Sequence, residues 1–115
     1  MNLYAEARAG ALVVRVDEER LDAAIAIRFK DRMREICVQP APRIVLDMSR
    51  IEFLDSSGLG AVVAVMKALS PNRRLELAGL TPNVEKVFRL TRMDSVFPIH
   101  ASVEAMLSEG VRDAG

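Results

Sequence analysis

The sequence has almost no cysteine or histidine: Cys37 and His100 are the only residues of these two types. A lone cysteine excludes a disulfide within the chain and is typical of a protein from a reducing compartment. One cysteine and one histidine are also too few for the usual kind of zinc site. We therefore expect neither a disulfide framework nor a metal centre, and interpret Cys37 as a small apolar residue at a helix end.

Aromatic residues are also scarce, and neither sign of charge is in excess. There are four phenylalanines, one tyrosine and no tryptophan, and 16 basic residues balance 16 acidic ones. Nucleic-acid binding draws on clustered lysine and arginine, and single strands also need aromatic side chains on which bases can stack. The composition therefore predicts no nucleic-acid partner.

No hydrophobic run approaches the roughly 20 residues that span a bilayer. Residues 1–10 lack the basic region followed by an apolar stretch that marks a signal peptide. Half of the 115 residues are hydrophobic, which is enough for the core of one compact domain. We expect a cytoplasmic protein without membrane association. Its single domain should span 1–115, with a core of about 2–109 and a C-terminal tail at 110–115.

Four segments have the patterns of β-strands. Leu12, Val14 and Val16 alternate with other residues, and residues 2–7 could pair with them as a hairpin that turns at Ala9-Gly10. The other three segments are the apolar run 44–46, which is typical of a central strand covered on both faces, residues 75–78, and an edge strand at 96–99.

Four segments have the patterns of helices. The first shows an apolar stripe at spacings of three and four, for which Asp22 is the expected N-cap. The stripe consists of Leu21, Ile25, Phe29, Met33 and Ile36. A second helix covers 61–69 and ends near Pro71, a third starts at Thr81-Pro82, and a short fourth covers 102–108.

Strands that alternate with helices indicate a parallel sheet with right-handed crossovers, to which the hairpin adds one antiparallel strand. The fold class expected is α/β: a single domain with a mixed, mainly parallel β-sheet of about five strands packed with four helices. Sites in such sheets gather at the carboxyl ends of the strands. The segment 47–58 is a loop of this kind.

The segment Asp55-Ser56-Ser57-Gly58-Leu59-Gly60 lies in this region, in front of an almost wholly apolar helix. One interpretation is purely structural: Asp55 or Ser56 caps the helix and the glycines ease a turn. The other is a binding surface, because a helix over a sheet in so small a domain cannot bury every side. Its outer side, with small residues such as Gly60 and Ala64, would let a partner approach closely.

Asp47-Met48-Ser49 together with the segment 55–60 resembles the signature of STAS domains, specifically of bacterial anti-sigma factor antagonists. Leu21-Asp22-Ala23 is similar to the family's segment before its first helix, although Glu19 stands where a glycine is common. Two further segments match the pattern, so that the resemblance covers nearly the whole chain. They are Leu90-Thr91-Arg92-Met93-Asp94 and Ser102-Val103-Glu104-Ala105-Met106.

The resemblance implies a partner-switching cycle. The unphosphorylated protein would bind an anti-sigma factor that is an ATP-dependent serine kinase. The kinase would phosphorylate Ser57, with Ser56 as the rival acceptor, and a serine phosphatase would restore the hydroxyl. Asp22 would join the partner surface formed by Asp55, Ser56, Ser57, Gly58, Leu59 and Gly60. The chain would be a monomer when free and would carry no cofactor of its own, since the partner supplies ATP and magnesium.

Elementary electrostatics explains how such a switch would work. A phosphoserine carries about −1.5 to −2 charges at neutral pH. The first N–H groups of a helix point at this charge, so that the free domain tolerates it. A partner that covers the same place would leave the phosphate desolvated beside Asp55.

Two enzyme-like alternatives match the sequence poorly. A serine hydrolase needs glycine two residues before its nucleophile, where Ser57 has Asp55. The one candidate base, His100, is expected at the surface. A nucleotide module is suggested by Gly58-Leu59-Gly60, but Val63 replaces the third glycine. Weak nucleotide binding remains an alternative by analogy with some STAS domains.

A different binding role is the strongest alternative. STAS domains also serve in lipid-transport complexes, anion transporters and stress-sensing assemblies, and the lack of spanning segments argues against a transporter. The phosphorylatable Asp-Ser-Ser-Gly form favours sigma-factor regulation over lipid transport. Elsewhere, Arg73-Arg74 is expected to do no more than decorate a turn.

Overall fold

The computed structural model describes the backbone of residues 1–114 and the side chains of residues 1–109. Its main sheet has five strands in the order β1-β2-β4-β6-β7, and a separate two-stranded ladder joins β3 to β5. The strands are β1 (Leu3–Arg8), β2 (Ala11–Val16), β3 (Arg20–Leu21), β4 (Arg43–Asp47), β5 (Phe53–Leu54), β6 (Arg74–Ala78) and β7 (Ile99–His100). The helices are α1 (Ala26–Ile36), α2 (Ser56–Leu69), α3 (Pro82–Leu90) and α4 (Val103–Ala114).

The expected fold class is confirmed. β1 and β2 pair antiparallel, and every other pairing in the main sheet is parallel. The hairpin turns at Ala9 and Gly10, whose φ angles of 50° and 80° are those of the primed turns that suit the twist of hairpins. The apolar run of β4 lies in the centre of the sheet with Ile44, Val45 and Leu46 fully buried.

Helices cover both faces of the sheet. One face packs against α1, α2 and α3 through the main core, which contains Phe29, Val62 and Phe88. The other face packs against α4, where Val13 and Val45 meet Val103 and Met106. None of the helices among the described residues is long and apolar enough to cross a membrane.

The first helix begins later than the apolar stripe suggested. Leu21 belongs to β3, and Ile25, not Asp22, occupies the N-cap position of α1 without a capping side chain. Asp22 was therefore the wrong cap. Its carboxylate accepts hydrogen bonds from the backbone N–H of Ala24 and from Arg20, because the chain turns at this point before the helix starts.

Three further predictions differ in detail. The last strand, expected at 96–99, is only Ile99–His100. Residues 93–95 before it form a short 3-10 helix. Thr81 does occupy the N-cap position of α3, but its hydroxyl donates to the carbonyl oxygen of Ile51 at 2.7 Å and does not cap the helix. The fourth helix, expected at 102–108, covers Val103–Ala114.

Candidate functional site

A two-stranded ladder brings the segment before α1 to the serine motif. In this ladder Arg20 pairs with Phe53 and Leu21 pairs with Leu54, both in parallel register. The backbone N–H of Asp55 also donates to the carbonyl oxygen of Leu21 at 3.4 Å. Two segments more than 30 residues apart in sequence therefore form one surface, at the place where α2 begins.

Asp55 holds this junction together with both of its carboxylate oxygens. Oδ1 accepts a hydrogen bond from the backbone N–H of Gly58 at 2.8 Å, which caps α2, and Oδ2 accepts one from the N–H of Ala23 at 3.2 Å. The bond from Gly58 is the main cause that lowers the pKa of Asp55, with the N–H of Ala23 and the charge of Arg20 acting in the same direction. The carboxylate is thus an ionised cap that ties the loop around Ala23 to α2.

The two glycines of the motif have different surroundings. A Cβ atom on Gly58 would overlap the carbonyl oxygen of Leu21 and lie 2.8 Å from its carbonyl carbon. A Cβ atom on Gly60 would meet nothing within 4 Å. Gly58 is therefore required by the packing of α2 on β3, whereas the packing of the free domain leaves Gly60 open to substitution.

Ser56 and Ser57 are the first two residues of α2, and both are exposed. They lie at the positive end of the helix dipole, which favours negative charge, and Asp55 already accepts from the N–H of Gly58 there. Both hydroxyls are therefore accessible for modification in the free domain.

Arg20 and Phe53 are neighbours of the motif that no sequence pattern identified as part of the site. The Arg20 guanidinium lies 4.2 Å from the centre of the Phe53 ring, and its Nε donates to Asp22 Oδ2 at 3.2 Å. Phe53 is 41% exposed. Only the pairing of β3 with β5 reveals this cation–π contact, because each residue by itself looks like ordinary surface.

The outer side of α2 extends this surface away from the serines. Gly60 is exposed, and Val63 and Ala64 are partly exposed. Leu59 is half-buried because it packs against the core. The structure therefore places all the residues expected at the site around one helix start, together with Asp22 in the adjoining loop.

Comparison with known proteins identifies the family. Residues 2–106 match the family model of the STAS domain. The chain belongs to the STAS domain family.

Similar proteins agree with this assignment. A protein of Bordetella bronchiseptica described as a candidate anti-sigma factor antagonist, BtrV, is 34% identical over 88 residues, which cover 76% of this chain and 69% of that protein. The crystal structure of an anti-sigma factor antagonist from Mycobacterium paratuberculosis has a TM-score of 0.83 at 24% identity and covers 94% of this chain and 92% of its own. The Bacillus cell fate determinant SpoIIAA in its phosphorylated form has a TM-score of 0.67 at 23% identity and covers 94% and 98%.

A second polar cluster of this STAS domain lies under α4. The expectation that His100 is a surface residue is wrong: its side chain is 13% exposed, and its Nε2 lies 2.7 Å from Oε1 of the fully buried Glu76. Arg43 donates to both carboxylate oxygens of Glu76 at 2.7 and 2.8 Å. His100 therefore pairs with a structural carboxylate and is remote from the serine motif in the fold.

Arg73 is also more than the decoration of a turn. Its guanidinium donates to the backbone carbonyl oxygens of Cys37, Gln39 and Ala41 at 2.6, 2.6 and 2.8 Å. These carbonyls belong to the loop that follows α1, whereas the carbonyl oxygens of Met33, Glu35 and Ile36 at the end of the helix accept from backbone N–H groups. In this STAS domain one side chain thus closes the loop between α1 and β4.

Proposed function

We propose that this chain is an anti-sigma factor antagonist that binds a serine-kinase anti-sigma factor when unphosphorylated and releases it when Ser57 is phosphorylated. The observation that carries the proposal is the position of Ser57. It is exposed, it is the second residue of α2, and it follows the ionised cap Asp55. The chain contributes the acceptor hydroxyl and the docking surface, and the kinase contributes ATP and magnesium.

The free domain can accept the phosphate without unfolding. Ser57 lies within the first turn of α2, where N–H groups and the helix dipole favour negative charge. Its side chain is exposed, so that the added group remains in water. We therefore expect the phosphorylated and unphosphorylated domains to share one fold.

The same phosphate would disrupt a complex formed over this surface. It would stand next to the Asp55 carboxylate, whose lowered pKa keeps it ionised. A partner that covers the exposed Phe53 ring and the outer side of α2 would remove water from both charges. An unpaired charge at an interface costs about 2–5 kcal/mol, which corresponds to a loss of affinity of about 30-fold to several thousandfold.

Geometry alone does not separate Ser57 from Ser56, since both are exposed at the start of α2. The choice of Ser57 follows the position of the second serine in the family motif. The solved phosphorylated form of SpoIIAA, a neighbour in fold, supports modification as a property of such domains. A serine phosphatase would complete the cycle by restoring the hydroxyl.

The proposal is tested by comparing four tagged forms of the chain: wild type, Ser57→Ala, Ser57→Asp and the matched control Ser56→Ala. Each form is incubated with lysate of its native cell and labelled ATP, and phosphate incorporation and captured kinases are measured by mass spectrometry. We expect Ser57→Ala to capture a serine kinase and remain unlabelled, Ser57→Asp to capture little, and Ser56→Ala to behave as wild type. Stoichiometric labelling of Ser57→Ala, or equal capture by all four forms, would overturn the proposal.

A further inference from the structure

A groove of about 280 Å³ lies between the C-terminal parts of α1 and α2. One wall comes from α1 and the residue directly after it, at spacings of three and four that place them on one helix face: Lys30, Met33, Arg34 and Cys37. The opposite wall comes from the last two turns of α2. Ala64 and Ala68 in this wall lie about 10 and 16 Å along the helix axis from Ser57, so that the groove adjoins the outer side of α2 at Ala64 and does not include the serines.

The wall that α2 contributes forms the apolar floor of the groove, because α2 presents alanines there. Ala64 and Ala68 lie one turn apart and are too small to fill the space in front of α1. Met33 and Leu69 are buried and close the groove from below. Larger side chains at the two alanine positions would fill the space, so the cavity is a direct consequence of these small residues.

The rim of the groove is basic. Lys30, Arg34 and Arg73 are the charged residues that line it, and no carboxylate is among the lining residues. Arg34 forms an ion pair with the exposed Asp31, whose Oδ1 lies 3.5 Å from the guanidinium. Lys30 forms no ion pair with any side chain of residues 1–109. An apolar floor with a cationic rim fits a ligand that has an apolar body and an anionic head.

The end of a helix would ordinarily repel an anion, because its last carbonyl groups carry partial negative charge. Here the carbonyl oxygens of Met33, Glu35 and Ile36 accept hydrogen bonds from the backbone N–H groups of residues 37–39. Arg73 donates to the carbonyl oxygens that follow the helix, those of Cys37, Gln39 and Ala41. The C-terminal end of α1 therefore presents a guanidinium to the groove. An anion can approach it without meeting bare carbonyl oxygens.

Cys37 lies partly buried at this end of the groove. Burial raises the pKa of its thiol, although the charge of the nearby Arg73 acts to lower it. Since Cys37 is the only cysteine of the chain, its reactivity measures access to the groove without interference.

We propose that this groove binds a small single-chain amphiphilic carboxylate of the medium-chain fatty-acid type. The chain would lie on the apolar floor between α1 and α2, and the carboxylate would lie at the basic rim. A cavity of about 280 Å³ is just below the range of about 300–1,000 Å³ found for drug-sized ligands, which favours one short chain over a two-chain lipid.

The first experiment measures alkylation of Cys37 by iodoacetamide in the whole domain, with decanoate added below its micelle concentration. We expect decanoate to slow the reaction in a saturable manner, and the equally long cation decyltrimethylammonium to leave it unchanged. No protection by decanoate, or equal protection by the cation, would overturn the proposal. Amide shifts of residues 30–37 and 64–69 in heteronuclear NMR spectra should follow the same titration.

The second experiment tests separately how the apolar floor and the basic rim contribute to decanoate binding. The double variant Lys30→Gln/Arg34→Gln should weaken decanoate binding about tenfold, as expected for the loss of a charge-assisted contact. Ala64→Leu/Ala68→Leu should block the groove while leaving the charges in place. The control Lys86→Gln/Arg89→Gln removes the same charge from the exposed side of α3 and should bind as wild type. Binding that follows total charge, so that the control weakens equally, would contradict a specific site.

A third arm tests the other source of an anionic amphiphile. Vesicles of phosphatidylglycerol should neither protect Cys37 nor sediment with the domain. If they protect Cys37 better than decanoate and lose this effect in the Lys30→Gln/Arg34→Gln variant, the free carboxylate is the wrong ligand. Because Ser57 takes no part in these measurements, their outcome is independent of the proposed function.

Discussion

Gly58 and Leu21 lie so close that no side chain fits between them. The first turn of α2 rests directly on the carbonyl group of β3, and a methyl group on Gly58 would lie 2.9 Å from Cδ1 of Leu54 as well as against Leu21. This contact fixes the start of α2, and with it Ser57, on the loop that contains Asp22. The geometry of the candidate site thus depends on glycine, which has no side chain, at position 58.

Gly58→Ala should therefore destabilise the domain, although alanine is the better helix former. The methyl group would collide with backbone, which cannot rotate away, and overpacking of this kind costs about 1–3 kcal/mol. Chemical denaturation measures the change. Gly60→Ala is the matched control: its methyl group meets open space, so that it should gain up to about 1 kcal/mol from helix propensity. Equal effects of the two substitutions would contradict the close contact.

Asp55→Ala should loosen both segments that the carboxylate joins. It removes the acceptor for the N–H groups of Gly58 and Ala23, so that these two amides should exchange with solvent faster. Hydrogen exchange followed by NMR measures this, and the melting temperature should fall. Glu52→Ala removes an exposed carboxylate nearby and serves as control. Faster exchange at Gly58 with unchanged exchange at Ala23 would show that Asp55 only caps the helix.

Glu76 should make the domain sensitive to acid. Burial of its carboxylate opposes ionisation, but hydrogen bonds from Arg43 and His100 outweigh this effect, and the pKa falls from 4.5 to about 2. A pKa that folding lowers stabilises the fold above the unfolded value, and this contribution is lost as the pH falls from about 5 towards 2. The amount is about 3 kcal/mol at most.

Denaturation of wild type and Glu76→Gln between pH 6 and 2 tests this prediction. The variant should be less stable by about 3–5 kcal/mol at pH 6, because it breaks a buried ion pair. The difference between the two proteins should then shrink as the pH falls. A difference that stays constant over this range would mean that the Glu76 carboxylate is not the group that titrates.

Arg73→Gln should weaken the connection between α1 and β4. Three carbonyl oxygens lose a charged donor, and hydrogen bonds to charged groups contribute about 1.5–3 kcal/mol. We expect a loss of about 2 kcal/mol in the free energy of unfolding, measured by urea denaturation. Arg50→Gln is the control, because Arg50 is an exposed residue with one ion pair at 3.5 Å and should change stability by less than about 0.5 kcal/mol. If the two substitutions changed the free energy of unfolding equally, Arg73 would contribute no more to stability than an ordinary surface charge.

Short-range patterns were sufficient for most elements of the fold. Alternating valines and leucines give β2, the positive φ angles of Ala9 and Gly10 close the hairpin, and the apolar run 44–46 becomes the central strand. The failures lie where tertiary pairing competes with a local pattern. Leu21 continues the helical stripe of α1, yet it joins β3 because Leu54 lies beside it.

The roles of polar residues were harder to predict for a related reason. A charged residue looks the same in the sequence whether it faces water or a buried partner. Glu76 stands between Leu75 and Leu77 in β6, and the pleat of the strand turns its side chain to the α4 face, where Arg43 and His100 meet it. Nothing within β6 identifies these partners, because they come from other strands.

The sequence by itself determined the order of the five main-sheet strands and of the helices, the family resemblance and the motif at the start of α2, because hydrophobic period and turn chemistry act over a few residues. Only the tertiary structure decided that Asp55 bridges to Ala23, that Gly58 must be glycine, and that Arg20 lies on Phe53. These relationships join residues about 30 positions apart, and the pairing of β3 with β5 is what brings them into contact.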